Sequence, residues 1–376
     1  MDNTQRDYFP NLDLLRFLAA LWVLITHYAH IGPAWQMVPY SVPEGAFLYF
    51  AKYGYMGVPV FFALSGFLIS HVSENRHGVD FAVNRVVRLM PAFWVSMSLT
   101  AIVLAILGAP HFSGFTQWLS NLTLLPQIFG HEFVDGVYWT LVYEFIFYGW
   151  VVLLLLAGVY HRYLMVISLS WLTISALNMF ILEFGPIERL FITDWSGAFV
   201  IGMVLYRVRK NGLTAHAVAA LAISVLLLGT ALHHADAQPF LIIDTGTMSQ
   251  LTALAFALAI GGIVALSVLG PQIKSCGKQL ALLGAISYPL YLVHQEIGYA
   301  VFRTVGADLA TPIFVTGVAV AMIGLAFAVH IFAEKPLQRY LTRLAKPVVA
   351  ALVPLVNRLL APVRPDLRRE RQLPAE

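Results

Sequence analysis

"NLDLLRFLAALWVLITHYAH", residues 11–30, decides how the chain is read. About 20 consecutive apolar residues let a helix cross the hydrocarbon core of a bilayer. This run has that length, yet it carries Asp13, Arg16 and His27. Ionisable groups are costly in lipid, and where they are kept they face a bundle interior or a water-filled cavity. At roughly 100° per residue, the eleven steps from Arg16 to His27 return to within about 20° of the same direction, and Asp13 lies within about 60° of Arg16. One helix face therefore carries a carboxylate and a guanidinium at one end. The imidazole stands roughly 16 Å deeper along the axis.

The rest of the chain agrees with a membrane setting. Of 376 residues, 59% are hydrophobic and only 11% charged, against about 25% charged in soluble domains. Mean hydropathy is +0.75. The expected class is an all-α polytopic membrane protein, so the lipid bilayer is its first partner. Nothing in the charge pattern points to nucleic acid. The single cysteine, Cys276, excludes an intrachain disulfide and a thiolate cluster. Arg6 set against Asp2 and Asp7 makes a poor signal-peptide start. The run that follows is too long for a leader, so it is read as the first span.

Ten apolar runs are expected to span, near 11–31, 54–72, 89–107, 138–158, 163–182, 190–206, 214–232, 248–269, 280–301 and 311–333. The positive-inside rule tests that count. With both termini in the cytoplasm, only Lys52, Arg189 and Arg303 of the 23 Lys and Arg fall outside. A wrong count would scramble this asymmetry. Residues 1–340 form the expected transmembrane domain. Residues 341–376 form a basic cytoplasmic tail, read as an amphipathic segment on the inner leaflet or, from 363, as a solvated tail. No internal repeat stands out, which disfavours an inverted-repeat transporter.

Other spans hold further polar groups. In "YWTLVYEFIFYGW" (138–150), Thr140, Glu144 and Tyr148 form one ridge at i, i+4. In "SYPLYLVHQEIGY" (287–299), Ser287, Tyr291 and His294 share a face. Counted from the expected helix ends, His27, Glu144 and His294 fall at similar depth in the outer half. A histidine beside a carboxylate suits a general base whose tautomer must be fixed. A buried polar network that sets helix packing is the plainer reading. Asp13 and Arg16 also fit a local ion pair. Ser65 and Gly66, in "GVPVFFALSGFLIS", are small enough to admit a neighbouring helix or a thin ligand.

"NRVVRLMPAFW" (84–94) places Arg85 and Arg88 before the third span. They read either as topology anchors or as a planar fork for phosphate. With Arg16 at the same level, an inner arginine cluster lies beneath an outer-half histidine. A long ligand with an anionic head would fit, and coenzyme A has that shape.

The elements "LDLLRFLAALWVLITH", "GVPVFFALSGFLI", "NRVVRLMPAFW", "YWTLVYEFIFY", "SYPLYLVHQ" and "EKPLQRY" occur in this order over about residues 11–340. Together they resemble the acyltransferase-3 family of integral-membrane acyltransferases. The resemblance implies transfer of an acyl group, usually acetyl, from cytoplasmic acyl-CoA (acetyl-CoA or another) to a hydroxyl at the outer face. The acceptor would be an envelope glycan or a small molecule, and the setting a bacterial inner membrane. The resemblance and the depth pattern together give Arg85, Arg88 and Arg16 to the cofactor phosphates, with Ser65 lining the arm's passage. His27 would act as base or acyl carrier, Glu144 would orient it, and His294 and Tyr291 would support it. Asp13 matches the family's span-one acid. No metal is called for, and His233–His234, expected on an outer loop, is a poor ligand pair. A secondary transporter with an intramembrane His/Glu site and an assembly scaffold are the rival readings.

Overall fold

The computed structural model describes residues 8–236, 248–306, 309 and 311–361. Its long helices are α1 (Pro10–Ala34), α2 (Ala46–Val72), α3 (Gly78–Ile106), α4 (Gly136–Leu156) and α5 (Leu164–Leu182). They continue as α6 (Gly185–Asn211), α7 (Ala215–Ala235), α8 (Gln250–Leu269), α9 (Gly277–Val305) and α10 (Pro312–Leu360). Among the described residues there is no β-strand, and nine of these helices are long and apolar enough to cross a membrane. The exception is α9, which has the length, 29 residues. Its polar residues, among them Ser287, Tyr291, His294 and Glu296, keep it outside that group, and those four side chains are all buried. Large apolar side chains such as Leu153, Leu226, Leu258 and Leu266 point outward, as a lipid-facing surface requires.

The expected spans fall on these helices, with three differences in extent. α3 starts at Gly78, eleven residues before the apolar run. Arg85 and Arg88 thus project from the face of an established helix. α2 starts at Ala46, and Lys52, expected in an outer loop, is buried in it. The third difference is α10, which runs 49 residues without a break and takes the expected tail as far as Leu360 into its second half. Residues 362–376, and the arginines among them, lie outside the described residues. His233 sits near the end of α7 with Nδ1 against the Met248 carbonyl at 2.7 Å, so that pair is helical rather than on a loop.

Small residues bring the central helices together. α2 packs against α6, and α1 against α9. A Cβ on Gly66 would collide with the Phe199 carbonyl, and one on Gly202 with that of Ala63. This is backbone-to-backbone contact, the usual way membrane helices gain dispersion energy when lipid offers no hydrophobic drive. Gly66 therefore admits a helix. Its neighbour Ser65 points to the other side of α2, into a cleft.

Candidate active site

The cleft lies among α1, α2, α3, α4 and α9 and takes in about 920 Å3, part of it open to solvent. Arg16, Arg85 and Arg88 line it together with Ser65, Glu144 and Tyr148. Thr140, Phe61 and Tyr291 line its other end. The ridge read from α4 thus runs along the cleft, one member per turn. Glu144 Oε1 accepts from Ser65 Oγ at 3.0 Å and from the Tyr148 hydroxyl.

The three guanidiniums are held differently. Arg16 pairs with Asp13 at 3.4 Å. This is the local i, i+3 pair, and it places Asp13 with the arginines and away from the histidines. Arg88 Nη1 donates to Glu334 Oε1 at 2.8 Å. Glu334 is fully buried. It also accepts from Gln338 Nε2 at 2.9 Å and from His330 Nδ1 at 2.7 Å, and Gln338 Nε2 further donates to the Arg88 carbonyl at 2.8 Å. Arg85 has no carboxylate among the described residues. Its guanidinium lies over the Phe81 ring at 5.6 Å, and its buried Nε has no hydrogen-bond partner. A cation in that state fits an anionic ligand: the orphaned donor and the open cleft face together offer a site that phosphate oxygens would fill.

His27 and His294 meet on a separate level. His294 Nε2 lies 3.1 Å from His27 Nδ1, with ring centroids 4.9 Å apart. The surrounding carbonyls assign the protons. His294 Nδ1 faces the Tyr291 and Leu290 carbonyls at 2.9 and 3.2 Å, so it carries a proton and Nε2 is the acceptor. His27 Nδ1 faces the Val23 carbonyl at 2.8 Å and the acceptor nitrogen of His294, so it too carries a proton. That leaves Nε2 of His27 with its lone pair. Of the two rings, His294 is fully buried and His27 half-buried. His27 also opens a π-turn, His27–Ile31, a distortion that membrane and soluble helices often keep at functional positions. Tyr28 and Tyr299 fasten this turn by donating to the His294 and His27 carbonyls at 2.6 and 3.1 Å.

The expected partnership of Glu144 with His27 is corrected by this geometry. Thr140 Oγ1 reaches the Tyr291 hydroxyl at 3.0 Å, which sets α4 and α9 level at that pair. Glu144 is four residues inward from Thr140 and His294 three outward from Tyr291, a separation of about 10 Å along the axis. It is His294, not Glu144, whose ring nitrogen lies within hydrogen-bond distance of the His27 ring.

Two acids escaped the sequence reading. Glu334 is one, although "EKPLQRY" contains it. The other is Glu296, whose Oε2 lies 3.1 Å from His111 Nε2 and 3.6 Å from Arg303 Nη2, while its backbone N–H donates to Asp135 Oδ2 at 3.1 Å. This cluster fastens the segment between α3 and α4 to α9. Among the described residues no group of three or more His, Cys, Asp or Glu is arranged to hold a metal.

A family model described as an acyltransferase domain, that of acyltransferase-3, matches residues 9–331. The chain is 27% identical over 159 residues to Nodulation protein 10 of Rhizobium leguminosarum bv. viciae. That alignment covers 37% of this chain and 42% of the relative, so it spans under half of either protein. No solved structure matches.

Proposed function

The chain belongs to the acyltransferase-3 family, and from that premise we propose that this membrane acyltransferase moves an acyl group, acetyl in the first instance, from acyl-CoA to a hydroxyl. The acceptor is an envelope glycan or a small molecule at the outer face of a bacterial inner membrane. Ten helices cross that membrane with both termini in the cytoplasm, and the basic second half of α10, as far as Leu360, lies along the inner leaflet. In this reading Arg85, Arg88 and Arg16 bind the phosphates of the donor, and Ser65 lines the passage for its thin arm. Glu144 lines the same cleft as the guanidiniums, and its negative charge offsets part of their mutual repulsion. His27 Nε2 takes the proton of the acceptor hydroxyl as its oxygen attacks the acyl carbonyl. The carbon–sulfur bond breaks, and the proton passes to the departing thiolate, so one ester and one thiol replace one thioester and one hydroxyl. His294 holds His27 in the tautomer that leaves Nε2 free, the role a carboxylate plays in other hydrolytic and transfer sites.

The observation that supports this reading best is Arg85: a cation without a carboxylate, in a cleft that leads towards a histidine pair whose protons are already placed. The test is acyl-CoA binding and turnover by purified protein in nanodiscs. Arg85→Ala is expected to weaken acetyl-CoA binding at least about tenfold, while His27→Ala binds normally and loses turnover. Wild-type affinity in an Arg85→Ala, Arg88→Ala double variant overturns the assignment of the cleft.

A further inference from the structure

Tyr291 is the residue that joins the two halves of the site. Its ring lines the cleft, and the ring of His294, one turn along α9, lies beside it with centroids 5.8 Å apart. Neither histidine lines the cleft. Phe61, from α2, closes on Tyr291 with centroids 5.8 Å apart and an interplanar angle of 66°. The Tyr291 hydroxyl is tied on both sides: it accepts from Thr140 Oγ1 at 3.0 Å and donates to the Val137 carbonyl at 3.3 Å. Beside this pair Phe62 is fixed by stacking on Phe199 at 4.7 Å. The end of the cleft nearest the histidines is therefore a wall of rings. Its key member is only 7% exposed and is anchored at its tip.

We propose that Phe61 and Tyr291 form an aromatic partition between the donor cleft and the His27–His294 pair, and that this partition restricts the transferred group to short acyl chains of about acetyl size. The inference rests on the acyl-transfer reading above and names the residues that set the chain length of its donor. A thioester carried up the cleft meets the partition with its acyl tail leading. A two-carbon group needs only a small displacement of the Tyr291 ring to come against the histidines. A long chain would have to occupy the space that the two rings fill, and overfilled sites of this kind discriminate steeply, by about tenfold or more for each methylene that does not fit.

The experiment compares acetyl-CoA, butyryl-CoA and octanoyl-CoA on the full-length chain in nanodiscs. Affinity is read by titration calorimetry and turnover to water by thiol release. Wild type is expected to favour acetyl-CoA over octanoyl-CoA by at least about tenfold. Tyr291→Ala and Phe61→Ala should each shrink that ratio about tenfold or more. Tyr291→Phe keeps the ring, and so should keep the wild-type ratio. A wild type that accepts octanoyl-CoA as well as acetyl-CoA refutes the partition and leaves the acyl-CoA reading standing. So does an unchanged ratio in monodisperse alanine variants. If Tyr291→Ala does not fold, Phe61→Ala and Tyr291→Leu decide. A wild type that binds none of the three thioesters removes the acyl-CoA reading itself.

Discussion

Glu334→Ala is the substitution whose effect can be worked through most fully. The carboxylate is fully buried and takes three donors, from Arg88 at 2.8 Å, Gln338 at 2.9 Å and His330 at 2.7 Å. Removing one partner of a buried pair typically costs about 3–5 kcal/mol, because the other charge is left uncompensated. Arg88 is 39% exposed, so water recovers part of that loss. The orphaned amide and imidazole N–H groups add back some penalty. A net destabilisation of about 2–3 kcal/mol follows. Glu334→Gln retains an acceptor for Arg88 and places an amide against His330, whose ring can switch tautomer to receive it. It should cost about half as much. Unfolding in mixed micelles titrated with SDS measures both variants. The guanidinium also loses its aim, so acetyl-CoA affinity should fall about tenfold in the alanine variant and less in the glutamine variant. Wild-type stability together with wild-type affinity in Glu334→Ala would sink the claim that this carboxylate holds Arg88.

Other expectations follow from the same geometry. Gly202→Ala drives a methyl into the Ala63 carbonyl and the Phe67 backbone, and overpacking of this kind costs about 1–3 kcal/mol. Gly262→Ala, where nothing lies within 4 Å, should be neutral in the same unfolding assay. If His294 orients the base as proposed, His294→Ala should lower turnover about 10²-fold, with acetyl-CoA affinity within about twofold of wild type, because His294 does not line the cleft. At the turn between α4 and α5, His161 Nε2 lies 3.1 Å from Ser73 Oγ. Burial holds this imidazole below its ordinary 6.5. A value depressed in the folded state gives stability that is present above the unfolded pKa and lost as pH falls below about 6.5. Thermal unfolding of wild type should therefore weaken on acidification more than that of His161→Gln.

The spans were legible because hydropathy over about 20 residues is a strong signal, and all ten expected runs fall on long helices. The stripe of Arg16 and His27 was legible because helical period alone decides which residues share a face. Depth was not. It had to be counted from helix ends, and α3 begins eleven residues before its apolar run because polar residues extend it beyond the apolar stretch. A depth counted from helix ends puts Glu144 level with His27, whereas the residue that meets His27 is His294. Ser65 and Gly66 show a second limit: the sequence offers helix contact or ligand contact for both, and in the structure Gly66 meets the Phe199 backbone while Ser65 lines the cleft. Glu334 was hidden for a third reason. A glutamate beside Lys335 at the end of an apolar run looks like interfacial charge, and only the crossing of α3 with α10 shows that it is buried.

That crossing is one of two clamps between the same pair of helices. Glu334 grips Arg88, and farther along α10 the Asn357 Oδ1 lies 2.9 Å from Nε2 of His77, the residue that caps α3. The two helices and two clamps make a closed frame with Arg88 at one corner. Its long side is one unbroken helix, so the register of that helix is also the frame's tuning. Deleting a single residue between the clamps would rotate one relative to the other by about 100°, and both could no longer close. The basic stretch around Arg343 and Lys346 lies on the long side of this frame, between its two clamps.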